Sequence, residues 1–301
     1  MEKNVVMESN IQAAPPDTSA GRLHGVLGRP YLDLEPYLDL TDRLAEIDEE
    51  ICLSLIQIDP GFAGGSLRTL RWAAPGSHDG THDAGEIIAG FSRAEFARFL
   101  ALADDPGSFD LEHPERYRFG DVTDHPFSRK QMLYLKYRYG VAFPWSVAYE
   151  MIPWPRPGQQ KDPGPRSFTQ EALAHFPKTI ALIQSLPIRD IKRCAIYGLD
   201  AHAYGPLHRD CVTDEEAAAA PQPFILLSPR GDTRAYVWEP AAHNKIPIRS
   251  RAYWYNDRDY HGIEPDPFFR YSIQIDGRFE EEFIRKVQQG SGSPRSSEPE
   301  C

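Results

Sequence analysis

Between residues 41 and 57 the apolar residues Leu44, Ile47, Ile51, Leu55 and Ile56 recur at helical spacing and fall largely on one face, which predicts an amphipathic helix. Ser92 followed three residues later by Glu95 is a capping-box pattern, in which each side chain satisfies an orphan amide, so a helix starts there and carries Phe96, Phe99 and Leu100. Ser128 and Gln131 repeat that pattern and start a helix running to Gly140, a residue suited to the position past a helix end. A further helix is predicted over 169–186, either bent or broken at Pro177. From Cys194 onward the pattern changes to short β-like runs: CAIYGL, AHAYGPLHRD, PFILLS, RAYVWEP, RSRAYWYND and FRYSIQID. Gly, Pro and Asp turns separate them, which predicts an antiparallel sandwich or barrel rather than alternating β/α units. Pro229-Arg230-Gly231-Asp232 reads as a hairpin tip between two of these runs. Helices first and strands last make an α+β chain.

Both ends read as tails, residues 1–21 being small and polar and residues 290–301 rich in Gly, Ser and Pro. The breaker-rich segment WPRPGQQKDPGPR, residues 154–166, divides the remainder into a mostly helical region, 22–153, and a helix-plus-strand region, 154–289. A second Tyr-Leu-Asp-Leu at 37–40 after the one at 31–34 is too short to make a repeat architecture. The 33 Lys+Arg against 44 Asp+Glu leave a formal charge of −11, which repels phosphate backbones and anionic lipid and argues against nucleic acid or a membrane as partner. No run approaches the roughly 18 apolar residues of a spanning helix. The first twenty residues lack the basic start and apolar middle of a secretory signal. Cys52, Cys194, Cys211 and Cys301 show no paired spacing, so a reducing, cytoplasmic setting is expected.

Candidate chemistry gathers in the β-rich part. His208 and Asp210 stand two apart, so on a strand both side chains project to one face while Arg209 points away. His261 follows 53 positions later. Two histidines and one carboxylate can cap one face of an octahedral metal and leave the opposite positions free, the arrangement of non-haem Fe(II) oxygen chemistry. Nine positions beyond His261, Arg270 opens the run RYSIQID, where Arg270, Ser272 and Gln274 share a face and Tyr271, Ile273 and Ile275 take the other. A guanidinium fork beside a hydroxyl suits the far carboxylate of a dicarboxylic co-substrate, which Arg binds through two parallel hydrogen bonds.

His-x-Asp, a distal His about fifty residues on and Arg-x-Ser roughly ten further, here His208, Asp210, His261, Arg270 and Ser272, resemble the Fe(II)/2-oxoglutarate-dependent dioxygenases. Trp254-Tyr255-Asn256 leading into His261-Gly262, with Arg270 opening a strand that ends in Asp276, looks most like the aspartyl/asparaginyl and proline hydroxylase branch. The likeness covers about residues 201–276. It implies a double-stranded β-helix, the cupin-like jelly roll, with the helical N-terminal half packed on it. By the same resemblance, His208, Asp210 and His261 hold Fe(II), while Arg270 and Ser272 hold 2-oxoglutarate. With O2, an unactivated C–H bond of an amino acid, free or within a peptide, becomes an alcohol as 2-oxoglutarate is converted to succinate and carbon dioxide. Asp210 argues against halogenation, since halogenating relatives carry a small residue there. Desaturation, epoxidation or cyclisation of a specialised metabolite, and a jelly roll that only binds, remain the rival outcomes.

Tyr204, Trp254 and Asn256 flank the ligands and are candidates to line a substrate pocket, Trp254 serving equally well as core. The run 211–222 is either a lid or a loose connection. His78, Asp79, His82 and Asp83 sit in a Gly/Ser/Pro-flanked stretch that reads as a solvated loop, and His202 and His243 have no partners at ligand spacing. His208-Arg209-Asp210 lacks the Gly-rich loop and Asp-Phe-Gly that would make it a kinase catalytic loop, and no Gly-x-Ser-x-Gly elbow is present.

Overall fold

The computed structural model describes residues 22–40, 42–58, 84–117, 127–141, 145–153, 167–210, 220–231 and 233–291. Residues 1–21 and 292–301, the 154–166 segment and the His78–Asp83 cluster therefore lie outside the described residues, as does most of the 211–222 run, while residues 290 and 291 of the expected C-terminal tail instead end the last helix.

The helical pattern is realised as helix α1 (Arg43–Gln57), whose Leu44, Ile47 and Ile51 are buried, followed by α2 (Ala84–Ala89), α3 (Arg93–Leu100) and α4 (Arg129–Tyr139). Helix α4 carries both halves of its capping box, and Gly140 ends it in the left-handed region at φ 67°. Gln131 is fully buried there: its Oε1 accepts from the Ser128 amide and its Nε2 donates to the Phe99 carbonyl at 3.0 Å, joining α4 to α3. Around that link Ile88, Phe99, Leu100, Phe127, Met132, Leu135 and Val141 form a hydrophobic cluster separate from the main core. The stretch 169–186 is broken rather than bent. Pro177 occupies the first position of α6 (Pro177–Ser185), after α5 (Gln170–His175) has ended. Helix α1 caps α6: the Glu50 carboxylate accepts from the amides of Lys178 (2.8 Å) and Thr179 (2.7 Å) and from the Thr179 hydroxyl. Helix α7 (Glu281–Ser291) closes the described chain. None of the described helices is long and apolar enough to cross a membrane.

Among the described residues, ten strands make two antiparallel sheets: β1 (Tyr31–Asp33), β2 (Trp145–Ile152), β3 (Ile188–Leu199), β4 (Gly205–His208), β5 (Phe224–Leu227), β6 (Ala235–Glu239), β7 (Asn244–Pro247), β8 (Ala252–Tyr255), β9 (His261–Ile263) and β10 (Arg270–Phe279). The larger sheet has the order β1-β8-β5-β10-β3-β2 and the smaller β4-β9-β6-β7. Helices-then-strands is thus too simple a description: β1 and β2, both from before residue 154, form the edges of the larger sheet. The turn expected at Pro229–Asp232, of which Asp232 lies outside the described residues, also differs from its expected role. Gly231 does turn, its amide donating to the Ser228 carbonyl, but β5 and β6 belong to different sheets, so the turn is a crossover and not a hairpin tip.

The two faces of the larger sheet have opposite character. Directly paired residues share a face, so Ile273 with Ile196 and Leu227, and Ile275 with Cys194 and Ile225, form one apolar surface. It belongs to the main core with residues of α1, α6 and α7. Tyr271 is fastened there by its hydroxyl, which donates to Asp48 Oδ1 of α1 at 2.6 Å. The other face is polar: Ser272 lies opposite Tyr197, Gln274 opposite Ala195, and Asp276 opposite Arg193.

Because three hydrogen bonds from the start of α6 converge on one carboxylate of α1, Glu50→Ala is expected to lower stability by about 1–2 kcal/mol, the usual worth of a helix N-cap, read as a shifted urea midpoint with unchanged slope. An unmoved midpoint would show that the α1–α6 contact rests on its apolar face alone.

Candidate metal centre

His208 is the last residue of β4 and His261 the first of β9, and the two are directly paired across the smaller sheet. Their ring centroids are 4.3 Å apart. Asp210 lies beyond the end of β4, so strand alternation is not what aims it. Its amide donates to the Asp257 carbonyl at 2.8 Å, and this turn returns the carboxylate to His208, with Oδ1 3.5 Å from Nε2. One ligand atom from each of the three lies within 4.8 Å of the others. Modest side-chain rotation brings all three onto one ion with bonds of about 2 Å. Two imidazoles and a carboxylate suit a first-row divalent metal and leave coordination positions open.

The orientation of His261 is set from behind. Its Nδ1 is 2.9 Å from the Asp259 carbonyl oxygen, which can only accept, so Nδ1 carries the proton and the Nε2 lone pair is left for a metal. Burial, reinforced by the neighbouring His208, holds its pKa well below the ordinary histidine value, so the ring is the neutral ligand form. Asp259 is itself pinned, its Oδ1 accepting from the His24 amide (2.9 Å) and its Oδ2 from that of Gly25 (2.7 Å). Gly25 adopts φ +63°, where a Cβ would stand 2.2 Å from the Arg29 carbonyl oxygen, so only glycine fits that turn.

Asp210 is recessed but open, with 36% of its side chain exposed. Burial raises its pKa, an effect opposed by His208 and Arg193 and reinforced by Asp276. Burial and the Asp210 charge push Asp257 up to about 7. Tyr255 packs its ring 4.8 Å from that of His261 and joins the polar face of the larger sheet to the histidine pair.

Arg270 is buried at the start of β10, and its Nη2 donates to the carbonyls of Ala203 (2.9 Å) and Glu264, tying the larger sheet to the chain just before β4 and just after β9. Ser272 follows on the same face and is also buried. The flanking candidates fare unevenly. Trp254 does not line the site: its neighbours Tyr253 and Tyr255 take the polar face, so Trp254 is turned into the helix-covered core, 4.9 Å from Phe279. Tyr204 is 45% exposed. Asn256 is buried and shapes the turn before His261, its Oδ1 accepting from the Arg258 amide and its carbonyl from the Asp259 amide.

Arg193, Tyr197 and Asp259 escape a sequence reading, and Tyr255 and Asp276 enter it only as parts of the family likeness, without a role. Asp276 could have been found by carrying the alternation of Arg270, Ser272 and Gln274 one step further. Arg193 becomes visible only through the β3–β10 register.

Loss of the Asp259 side chain strips the His24 and Gly25 amides of their acceptor and loosens the carbonyl that orients His261. Asp259→Ala is expected to weaken metal binding about 10- to 100-fold, as altered outer-shell partners do, measured by Co(II) absorption titration. Affinity equal to the unaltered protein would show that His261 is held without this clamp.

No protein-family model and no curated protein matches the sequence. Among solved structures, the chain is similar to a prolyl-4-hydroxylase from Pseudomonas putida, 14% identical over 44% of this chain and 73% of that one, with a TM-score of 0.24. A 2OG-Fe(II) oxygenase family oxidoreductase from Burkholderia pseudomallei is 11% identical over 44% of this chain and 70% of its own, at TM-score 0.26. A prolyl hydroxylase from Trichoplax adhaerens, solved with a hypoxia inducible factor peptide fragment, is 13% identical over 85% of this chain and 100% of its own, at TM-score 0.28. Likenesses at this level fix no chemistry, which rests on the side chains of the site itself.

Proposed function

We propose that this chain is an Fe(II)- and 2-oxoglutarate-dependent oxygenase that hydroxylates an unactivated C–H bond of an amino acid, free or within a peptide. The observation that carries the reading is the approach of His208, Asp210 and His261 to within one metal's reach, with the proton of His261 directed away onto the Asp259 carbonyl. Strand order supports it: from β3 to β10 the chain passes repeatedly between the larger and smaller sheets, as a double-stranded β-helix requires. His208, Asp210 and His261 are the metal ligands. Arg270, with Ser272, takes the far carboxylate of 2-oxoglutarate.

When bound, iron and 2-oxoglutarate supply oxygen activation: O2 and the keto acid become succinate and carbon dioxide, and one oxygen atom enters the substrate C–H bond. The protein's share is placement and exclusion. Asp259 keeps His261 aimed, the Asp257 carbonyl turns Asp210 back toward His208, and the partly buried ring of Tyr255 packs against that of His261. Arg270 is fixed by two carbonyls flanking the opposing sheet and need not reorganise to meet a carboxylate.

The test is succinate release that requires both Fe(II) and 2-oxoglutarate. His208→Ala is expected to abolish metal binding and turnover, whereas Arg270→Ala keeps the metal and raises the 2-oxoglutarate KM about 10- to 100-fold, as loss of a charge-assisted pair does. Normal turnover in His208→Ala would overturn the ligand assignment.

A further inference from the structure

The polar face of the larger sheet carries a second charged site that the oxygenase reading leaves without a role. Arg193 on β3 and Asp276 on β10 are directly paired, with Arg193 Nε 2.8 Å from Asp276 Oδ2, and their side chains keep 23% and 19% exposure. Gln274 Nε2 donates to the other carboxylate oxygen of Asp276 at 2.9 Å, and the Arg193 guanidinium lies 5.9 Å from the centre of the Tyr197 ring. Glu150 on β2 shares this face through its pairing with Ala195.

Strand register locates the pair relative to the metal ligands. Arg270 Nη2 is bonded at Ala203 and Glu264, beside the Gly205–Ile263 pair, whereas His208 and His261 pair further along the same two strands. Along β10, Asp276 comes six residues after Arg270, about 20 Å at the rise of an extended strand. Two guanidinium groups therefore share the face of the larger sheet from which Tyr255 reaches His261: Arg270, assigned to the keto acid, and Arg193, paired with Asp276 at the other end of the same stretch of β10.

We propose that Arg193 and Asp276, held by Gln274, form the recognition site for the substrate's charged ends, and that the substrate is a free α-amino acid bound as its zwitterion. This rests on the oxygenase reading of the histidine–aspartate centre. The physical ground is charge balance. A residue within a peptide offers only neutral amides, and seating these against an ion pair strips water from both charges without replacing it. A zwitterion replaces both at once: its carboxylate accepts from the Arg193 guanidinium, its ammonium donates to the Asp276 carboxylate, and the net charge of the site is unchanged. Its side chain is then directed toward the ligands while its two charged groups are held.

The full-length protein, loaded anaerobically with Fe(II) and 2-oxoglutarate, is titrated by calorimetry with each proteinogenic L-amino acid and with its N-acetyl, C-amide counterpart. At least one free amino acid is expected to bind, with its capped form at least about 100-fold weaker, because a site built for specific polar groups rejects analogues lacking them. Arg193→Gln is expected to weaken that amino acid about 10- to 100-fold and to erase the preference for free over capped, which a merely structural cross-strand pair would not do. Capped forms binding as well as free ones, an undiminished affinity in Arg193→Gln, or Fe(II) and 2-oxoglutarate uptake with no free amino acid bound would each overturn the proposal. Failure to take up Fe(II) and 2-oxoglutarate at all would instead sink the oxygenase reading beneath it. The free-versus-capped comparison needs no variant, so it stands even if Arg193→Gln does not fold.

Discussion

The antiparallel pairing of β4 with β9 is the constraint on which the site depends. It sets His208, the last residue of β4, opposite His261, the first of β9, although 53 positions separate them. Short strands hold register poorly unless something else fixes them. Here the fastening comes from outside the pair: Asp259 ties the approach to β9 to the His24–Gly25 turn, and Arg270 reaches across from the larger sheet to a carbonyl beside each strand. Both devices are charged groups satisfied by backbone.

The larger sheet answers a different demand. One face is apolar and covered by helices, which provides the rigidity that positions β10. The other is polar and faces the histidine centre. Tyr271 shows how closely the two are coupled, since its hydroxyl anchors β10 to α1 while its neighbours Arg270 and Ser272 project to the opposite side. A one-residue slip of β10 would exchange these faces, placing Arg270 in the apolar core and Ile273 in the site.

Much of this was legible because the signals are local. The capping box at Ser128 and Gln131, the alternation along Arg270–Ile275 and the apolar stripe of Leu44, Ile47 and Ile51 each depend on residues a few positions apart, where backbone geometry alone relates them. Less was legible where partners are distant. β1 and β2 are short or flanked by unremarkable sequence and become strands only because edges of the larger sheet lie beside them. The 229–232 turn has hairpin residues, but whether it joins neighbours or crosses between sheets is decided by the strands it serves. Trp254 has the position of a pocket residue and the environment of a core one, for its side of β8 is settled by pairing with Leu32 and not by proximity to His261.

The amino-acid order by itself determined which residue types could bind a metal and a dicarboxylate, and the spacing that made them worth considering together. It also determined where helices begin, because an N-cap is chemistry within one turn of chain. Tertiary structure decided the rest: that Asp210 reaches the histidines by a turn held on the Asp257 carbonyl, that His261 presents Nε2 because Asp259 occupies Nδ1, and that Arg193 meets Asp276. Each of these is a contact between segments far apart in the chain, made only once sheet register is set, and register is a property of paired strands that no single strand carries.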